Sequence, residues 1–178
     1  MTLHEPACLI ILRHAKAAWP DGVRDQDRPL SARGRRDAPA AGRWLRGAGY
    51  RPEAVVCSPA RRTRQTLELL SPELAGRPTV VYDPRVYEAQ AAQLLDVVRE
   101  TDESCRTVLL IGHSPAVEEL TLELAGRAVT GDALSQIRAK FPTSGIAVLQ
   151  LPGRWEQLVQ HSAVLLAFAV PRGTQPMS

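Results

Sequence analysis

Cys8-Leu9-Ile10-Ile11-Leu12 is an unbroken apolar run, and it stops abruptly at Arg13-His14-Ala15. Five apolar residues without polar alternation suit a buried strand rather than a half-solvated one. Arg13 and His14 then stand where that strand gives way to a loop. Cation-forming groups set against an apolar core are costly unless something neutralises them. A phosphoryl group is a partner that suits an arginine beside a histidine.

Working outward, the same punctuation recurs. Apolar runs over residues 54–57, 79–82 and 107–111 predict three further strands. Residues 145–151 and 157–170 read as two late strands joined at Pro152-Gly153, as a hairpin or an antiparallel edge. Helices alternate with them. Ser31 is the expected N-cap of one that ends at Gly47 or Gly49. Ser58-Pro59 opens another, with serine as cap and proline at the first helical position, running to about Leu70. Residues 91–100 form a third, and Ser114-Pro115 starts a fourth that Gly126 ends. Residues 15–29 form a polar loop holding Trp19, Gly22 and three aspartates. This alternation predicts an α/β three-layer sandwich with a mostly parallel central sheet and an antiparallel edge. The 178 residues suit a single domain over 1–171, followed by a loose tail over 172–178.

Composition bounds the function. Apolar content of 44% and charged content of 23% are those of an ordinary globule. The net charge is +3, and of 22 basic residues only Lys16 and Lys140 are lysine. Residues 33–64 hold nine arginines against Asp37 and Glu53. Aromatics are only 4% and no nucleic-acid motif accompanies the cluster, so steering of an anionic substrate is favoured over nucleic-acid binding. Most of these arginines read simply as solvated surface. Cys8, Cys57 and Cys105 show neither CxxC nor metal spacing, which predicts reduced thiols in the cytoplasm. Glu5 and Pro6 interrupt any signal-peptide pattern, and the apolar stretch at residues 164–170 is too short to span a membrane. Neither a metal nor a cofactor is expected, and the oligomeric state is left open.

In parallel α/β sheets ligands bind beyond the carboxyl ends of the strands. That rule gathers Arg13 and His14 after the first strand, residues 58–62 after the second, Glu88 after the third and His113 after the fourth. Arg62 falls in the first turn of its helix, where free backbone N–H groups also favour an anion. Glu88 reads equally as a salt-bridge partner and as a catalytic acid. His4 and His161 read as ordinary polar residues. Arg13, Arg62 and His113 can cage a phosphoryl group around His14, and cationic neighbours keep that imidazole neutral and nucleophilic.

At these residues the chain resembles the histidine phosphatase, or phosphoglycerate mutase-like, superfamily. The matching pieces are Leu12-Arg13-His14-Ala15, the stretch from Cys57-Ser58-Pro59 to Gln65-Thr66, and Ile111-Gly112-His113-Ser114-Pro115. Arg13-His14-Ala15-Lys16-Ala17, Asp27-Arg28-Pro29-Leu30-Ser31 and Phe141-Pro142-Thr143-Ser144-Gly145 are similar to the short SixA-type phosphohistidine phosphatase branch. The mutase branch has glycine and then glutamate after the nucleophile, where Ala15 and Lys16 stand here. The resemblance implies His14 as the phosphorylated nucleophile, Arg13, Arg62 and His113 as phosphate binders, and a general acid near Glu88.

The expected function is therefore a metal-independent phosphatase acting through a phosphohistidine on His14, with phosphohistidine on a protein as substrate. Small phosphomonoesters are the alternative substrates, and a non-catalytic phospho-ligand-binding module is the alternative without turnover. Gly112-His113-Ser114-Pro115-Ala116 imitates the G-x-S-x-G elbow of serine hydrolases. That reading needs a backbone N–H that Pro115 lacks, and would have to recruit Asp132 and His161. Neither a Walker A nor a G-x-G-x-x-G segment is present, which disfavours nucleotide-dependent transfer.

Overall fold

The structure, a computed structural model, describes residues 6–175. His4 and residues 176–178 of the expected tail lie outside the described residues. The apolar run that ends at Arg13 is strand β1 (Cys8–Arg13), and it occupies the middle of a seven-stranded sheet. The other strands are β2 (Ala54–Cys57), β3 (Thr79–Tyr82), β4 (Thr107–Gly112), β5 (Ala125–Ala128), β6 (Ile146–Gln150) and β7 (Ala163–Ala169). Their order is β3-β2-β4-β1-β6-β7-β5. β3, β2, β4 and β1 run parallel, β6 runs antiparallel to both β1 and β7, and β5 runs parallel to β7.

The period of two along β1 divides the core. Leu9 and Ile11 pack with Leu94, Val98, Leu120 and Ile137, on the face covered by α3 (Ala91–Arg99), α4 (Ala116–Leu124) and α5 (Ala133–Ala139). Ile10 and Leu12 pack with Ala41, Leu45, Leu67 and Leu70, on the face covered by α1 (Ala32–Gly47) and α2 (Arg61–Leu70). Both faces of β1 are buried, which is why its sequence shows no alternation. The result is the α/β three-layer sandwich that the alternation of elements predicts.

Several local expectations need correction. Ser31 does cap α1, accepting from the Gly34 amide at 3.1 Å. Ser58 does not cap α2: that helix starts two residues beyond Pro59, with Ala60 at its cap position, because the Ser58 hydroxyl is engaged elsewhere. Arg62 is thus the second residue of α2. Ser114 does not cap α4 either; Pro115 holds the cap position. Gly126 does not merely end a helix but lies in β5, and α5 follows it. The two late strands do pair antiparallel, but β7 begins only at Ala163, after a helical turn at Trp155–Gln157 and the buried Trp155 ring. The Trp155 indole donates to the Cys105 carbonyl at 2.7 Å, which ties that turn to the segment before β4.

The tail is not loose at its start. Arg172 and the Gly173 amide both donate to the carboxylate of buried Asp37, at 3.0 Å each, and Arg172 also donates to the Thr143 carbonyl. Part of the arginine cluster is likewise structural. Arg43 and Arg46 both reach Glu73, tying α1 to the turn that follows α2.

α1 and α2 approach each other at Gly42. A Cβ there would stand 2.6 Å from the Leu70 carbonyl oxygen and 2.8 Å from Glu73 Cβ. Alanine gains about 1 kcal/mol over glycine inside a helix, whereas overpacking costs about 1–3 kcal/mol. Gly42→Ala is expected to be net destabilising, read as a lower denaturation midpoint. An unchanged or higher midpoint would refute the close approach.

Candidate active site

β1 delivers its last residue and the first loop residue to the carboxyl edge of the sheet. His14 is 8% exposed, and its Nδ1 lies 2.7 Å from the Ala15 carbonyl oxygen. A carbonyl only accepts, so Nδ1 carries the proton and Nε2 the lone pair. Burial holds the pKa of His14 well below 6.5; the Ala15 hydrogen bond opposes this, and His113, Arg62 and Arg13 reinforce it. The imidazole is therefore neutral at pH 7 and has a defined tautomer.

Arg13 is fixed by the loop before β6. Its guanidinium donates to the Phe141 carbonyl at 2.8 Å, and its amide to Gly145 at 3.1 Å. The Ser144 amide is shared between the carbonyls of Arg13 and His14, at 3.1 and 3.2 Å. To place that amide, Ser144 adopts φ 62°, a left-handed conformation costing on the order of 1 kcal/mol for a non-glycine residue.

α2 contributes Arg62, which is 6% exposed. Its guanidinium grips Asp25 twice, donating to the backbone carbonyl at 2.7 Å and to the carboxylate at 3.1 Å. The Asp25 carboxylate also accepts from the Tyr87 hydroxyl at 2.8 Å and from Arg28 at 2.9 Å. Desolvation raises the Asp25 pKa, but these three hydrogen bonds outweigh it and push the group down to about 2. Thr66, one turn along α2, donates to the Arg62 carbonyl and accepts from the Ala15 amide at 3.0 Å, locking the loop after β1 to the helix.

β4 contributes His113, whose Nε2 lies 2.7 Å from Ser58 Oγ. That oxygen also accepts from the Ala60 amide at 3.3 Å, and among the described residues Nε2 is the acceptor within reach of its hydroxyl hydrogen. His113 then carries its proton on Nδ1. This nitrogen is buried and without a hydrogen-bond partner among the described residues, as are Arg13 Nε, Arg62 Nε and Ser114 Oγ. A buried unpaired polar group costs about 1–3 kcal/mol. Four of them fall on residues that line one cleft, whose cationic lining suits an anion. Burial, with Arg62 next in effect and Arg13 in support, holds His113 at about 4 even though Asp25 pulls it upward.

The cleft holds about 200 Å³. Arg13, His14, Arg62 and His113 all line it, joined by Lys16 and Arg28, and the two imidazole rings stand 5.2 Å apart. Among the described residues, no carboxylate lines it. Glu88 does not join them. It is exposed in a turn at φ 55°, and its segment reaches the site through Tyr87, whose ring meets His113 edge-on at 5.7 Å. Sequence reasoning missed Asp25, Tyr87 and the role of Ser58. Three aspartates close to Arg28 were the available signal for Asp25, whereas Ser58 was hidden by its likeness to a helix cap. The serine-hydrolase reading finds no support here. Ser114 Oγ lacks a partner, Asp132 pairs with Gln136, and His161 is exposed in a turn before β7. Burial pushes the Cys57 thiol, at the end of β2, up to about 12 and the Cys8 thiol, at the opposite end of β1 from Arg13, up to about 11.

Comparison with known proteins places this geometry in context. Residues 9–148 match the model of the histidine phosphatase superfamily (branch 1). An uncharacterized protein of Mycobacterium tuberculosis (strain H37Rv) is 41% identical over 162 residues, covering 90% of this chain and all of that protein. Phosphohistidine phosphatase SixA of Escherichia coli (strain K12) is 31% identical over 145 residues, covering 80% of this chain and 84% of its own. The solved structure of a proposed phosphohistidine phosphatase SixA from Nakamurella multipartitia superposes with a TM-score of 0.83 at 34% identity, covering 94% of this chain and 98% of that one.

Two measurements test the site. Ser58→Ala releases the His113 tautomer and is expected to weaken inorganic phosphate binding five- to ten-fold, about one hydrogen bond's worth of roughly 1 kcal/mol; unchanged affinity would remove Ser58 from this role. In a nuclear magnetic resonance titration, His113 is expected to stay neutral from pH 8 to about 5 and to protonate near 4. Because the unfolded chain binds that proton first, at its ordinary 6.5, stability falls as pH drops from 6.5 toward 4. A His113 transition near 6.5 in the folded protein would contradict the burial argument.

Proposed function

The chain belongs to the histidine phosphatase superfamily, and on that premise we propose that it removes the phosphoryl group from phosphohistidine on a protein, without metal, through a phosphohistidine on its own His14. In the first half-reaction His14 Nε2 forms a bond to phosphorus as the bond from phosphorus to the substrate nitrogen breaks. In the second, water attacks that phosphorus, releasing inorganic phosphate and restoring the neutral imidazole. Arg13, Arg62 and His113 bind the equatorial oxygens and offset their charge, which is most of what phosphoryl transfer asks of a protein. A divalent cation is not needed for that charge. The nearby carboxylate, Asp25, is already held by three donors.

The absence of a carboxylate from the described cleft lining carries the substrate assignment. An alkoxide leaving group needs a proton from the enzyme. Phosphohistidine already protonated on its other ring nitrogen releases a neutral imidazole, so it needs none. Glu88 stands outside the cleft, and Asp25, at about 2, holds no proton to give at neutral pH. The identity with phosphohistidine phosphatase SixA of Escherichia coli supports the same substrate class.

Labelled phosphohistidine protein and, separately, a panel of sugar and nucleotide phosphates test this reading. Acid-labile label is expected on the wild type and on Ser114→Ala, but not on His14→Ala, whose turnover should fall by roughly a thousand-fold or more. Wild-type turnover in His14→Ala would overturn the mechanism. Preference for sugar phosphates would reassign the substrate to phosphomonoesters. Phosphate binding without turnover of either class would make the chain a binding module.

A further inference from the structure

We propose that the rim of the cleft, built on Trp19 and Lys16, is a docking surface for an acidic protein that carries the phosphoryl group. The inference rests on the phosphatase reading above and names what recognises the substrate beyond its phosphorylated side chain.

Size sets the requirement. Pockets that engulf a drug-sized ligand hold roughly 300–1,000 Å³, and this cleft holds about 200 Å³. It has room for a phosphorylated side chain, so the rest of any larger substrate lies across the rim. Trp19 lines the cleft and yet is 74% exposed, the most exposed of the large apolar side chains among the described residues. Its position is nevertheless fixed. The Arg28 guanidinium carbon sits 3.1 Å from the centre of the indole ring, a cation–π stack. Arg28 is itself 8% exposed and anchored on the Ala18 carbonyl and the Asp25 carboxylate. The backbone beside the ring is pinned as well, by Ala18 donating to Pro29 and by the bridge between Ala17 and Leu30. A large aromatic that is both exposed and already immobilised loses little entropy on binding, which is the character of an interface anchor.

Charge selects the partner. Lys16 is exposed at the same lip, and the described lining carries four cationic side chains and no carboxylate. In the adjoining loop Asp25 and Asp27 are paired with arginines, and Asp21 stands exposed. An acidic surface complements this rim, both in binding and in long-range steering. The basic balance of the whole chain, +3, acts in the same direction.

The test compares kcat/KM for a phosphohistidine-bearing acidic phosphotransfer protein with that for phosphoramidate, which is too small to touch the rim. The ratio of the two is expected to fall about ten-fold or more in Trp19→Ala and in Lys16→Glu, through KM for the protein. Trp19→Phe, which keeps an aromatic face over Arg28, is expected to recover most of the ratio. Added salt should lower kcat/KM for the protein more steeply than for phosphoramidate, and Lys16→Glu should flatten that slope. Equal losses on both substrates in Trp19→Ala would reduce the ring to a support for Arg28 and overturn the proposal. An unmoved ratio would overturn it while leaving the phosphatase reading intact. A Trp19→Ala defect confined to nucleotide phosphates would overturn it by assigning the ring to base stacking. Failure of the wild type on both substrates would overturn both readings together.

Discussion

A guanidinium taken out of water must find acceptors, and that constraint shapes three of the loops around the cleft. Arg13 draws in the carbonyl of Phe141 and with it the segment before β6. Arg62 draws in Asp25, and Asp25 draws in Arg28 and Tyr87. The 15–29 loop, which has little regular structure of its own, is thereby folded down onto α2. The sheet supplies the edge, but buried cations decide where the loops that complete the site come to rest. Each guanidinium is held on one side by the protein, and Arg13 and Arg62 each keep an unpaired buried Nε.

The two histidines obey a complementary logic. Both are kept neutral by burial beside cations, and each has one ring nitrogen committed, to Ala15 in one case and to Ser58 in the other. One committed nitrogen leaves a lone pair and the other leaves a donor, so two chemically identical side chains take opposite parts. The site carries buried unpaired polar atoms and a left-handed Ser144, and the surrounding core sustains that cost.

Much of this was legible because burial leaves a plain mark on sequence. The uninterrupted apolar run of β1, the strand-to-loop positions of His14 and His113, and the Ser31 cap all follow from short-range rules. What stayed hidden was set by contacts distant in sequence. Ser58-Pro59 has the form of a helix start, and only the His113 ring, 55 residues away, reveals why the serine is there. Trp155 lies between the two late strand-like stretches, and its bond to the Cys105 carbonyl, 50 residues away, leaves no local signal. Glu88 and Tyr87 are neighbours that sequence position could not separate. The turn exposes the first and sends the second to Asp25.

The thiols of β1 and β2 bear on how such an enzyme ages. Oxidants and alkylating agents attack the thiolate, which forms only when a cysteine loses its proton. Cys57 adjoins Ser58 in the chain and is fully buried, and both it and Cys8 hold their protons far above neutral pH. The proposed nucleophile is a nitrogen that peroxide does not readily oxidise. A site that works through this nitrogen, as proposed, has no catalytic thiolate for an oxidant to consume.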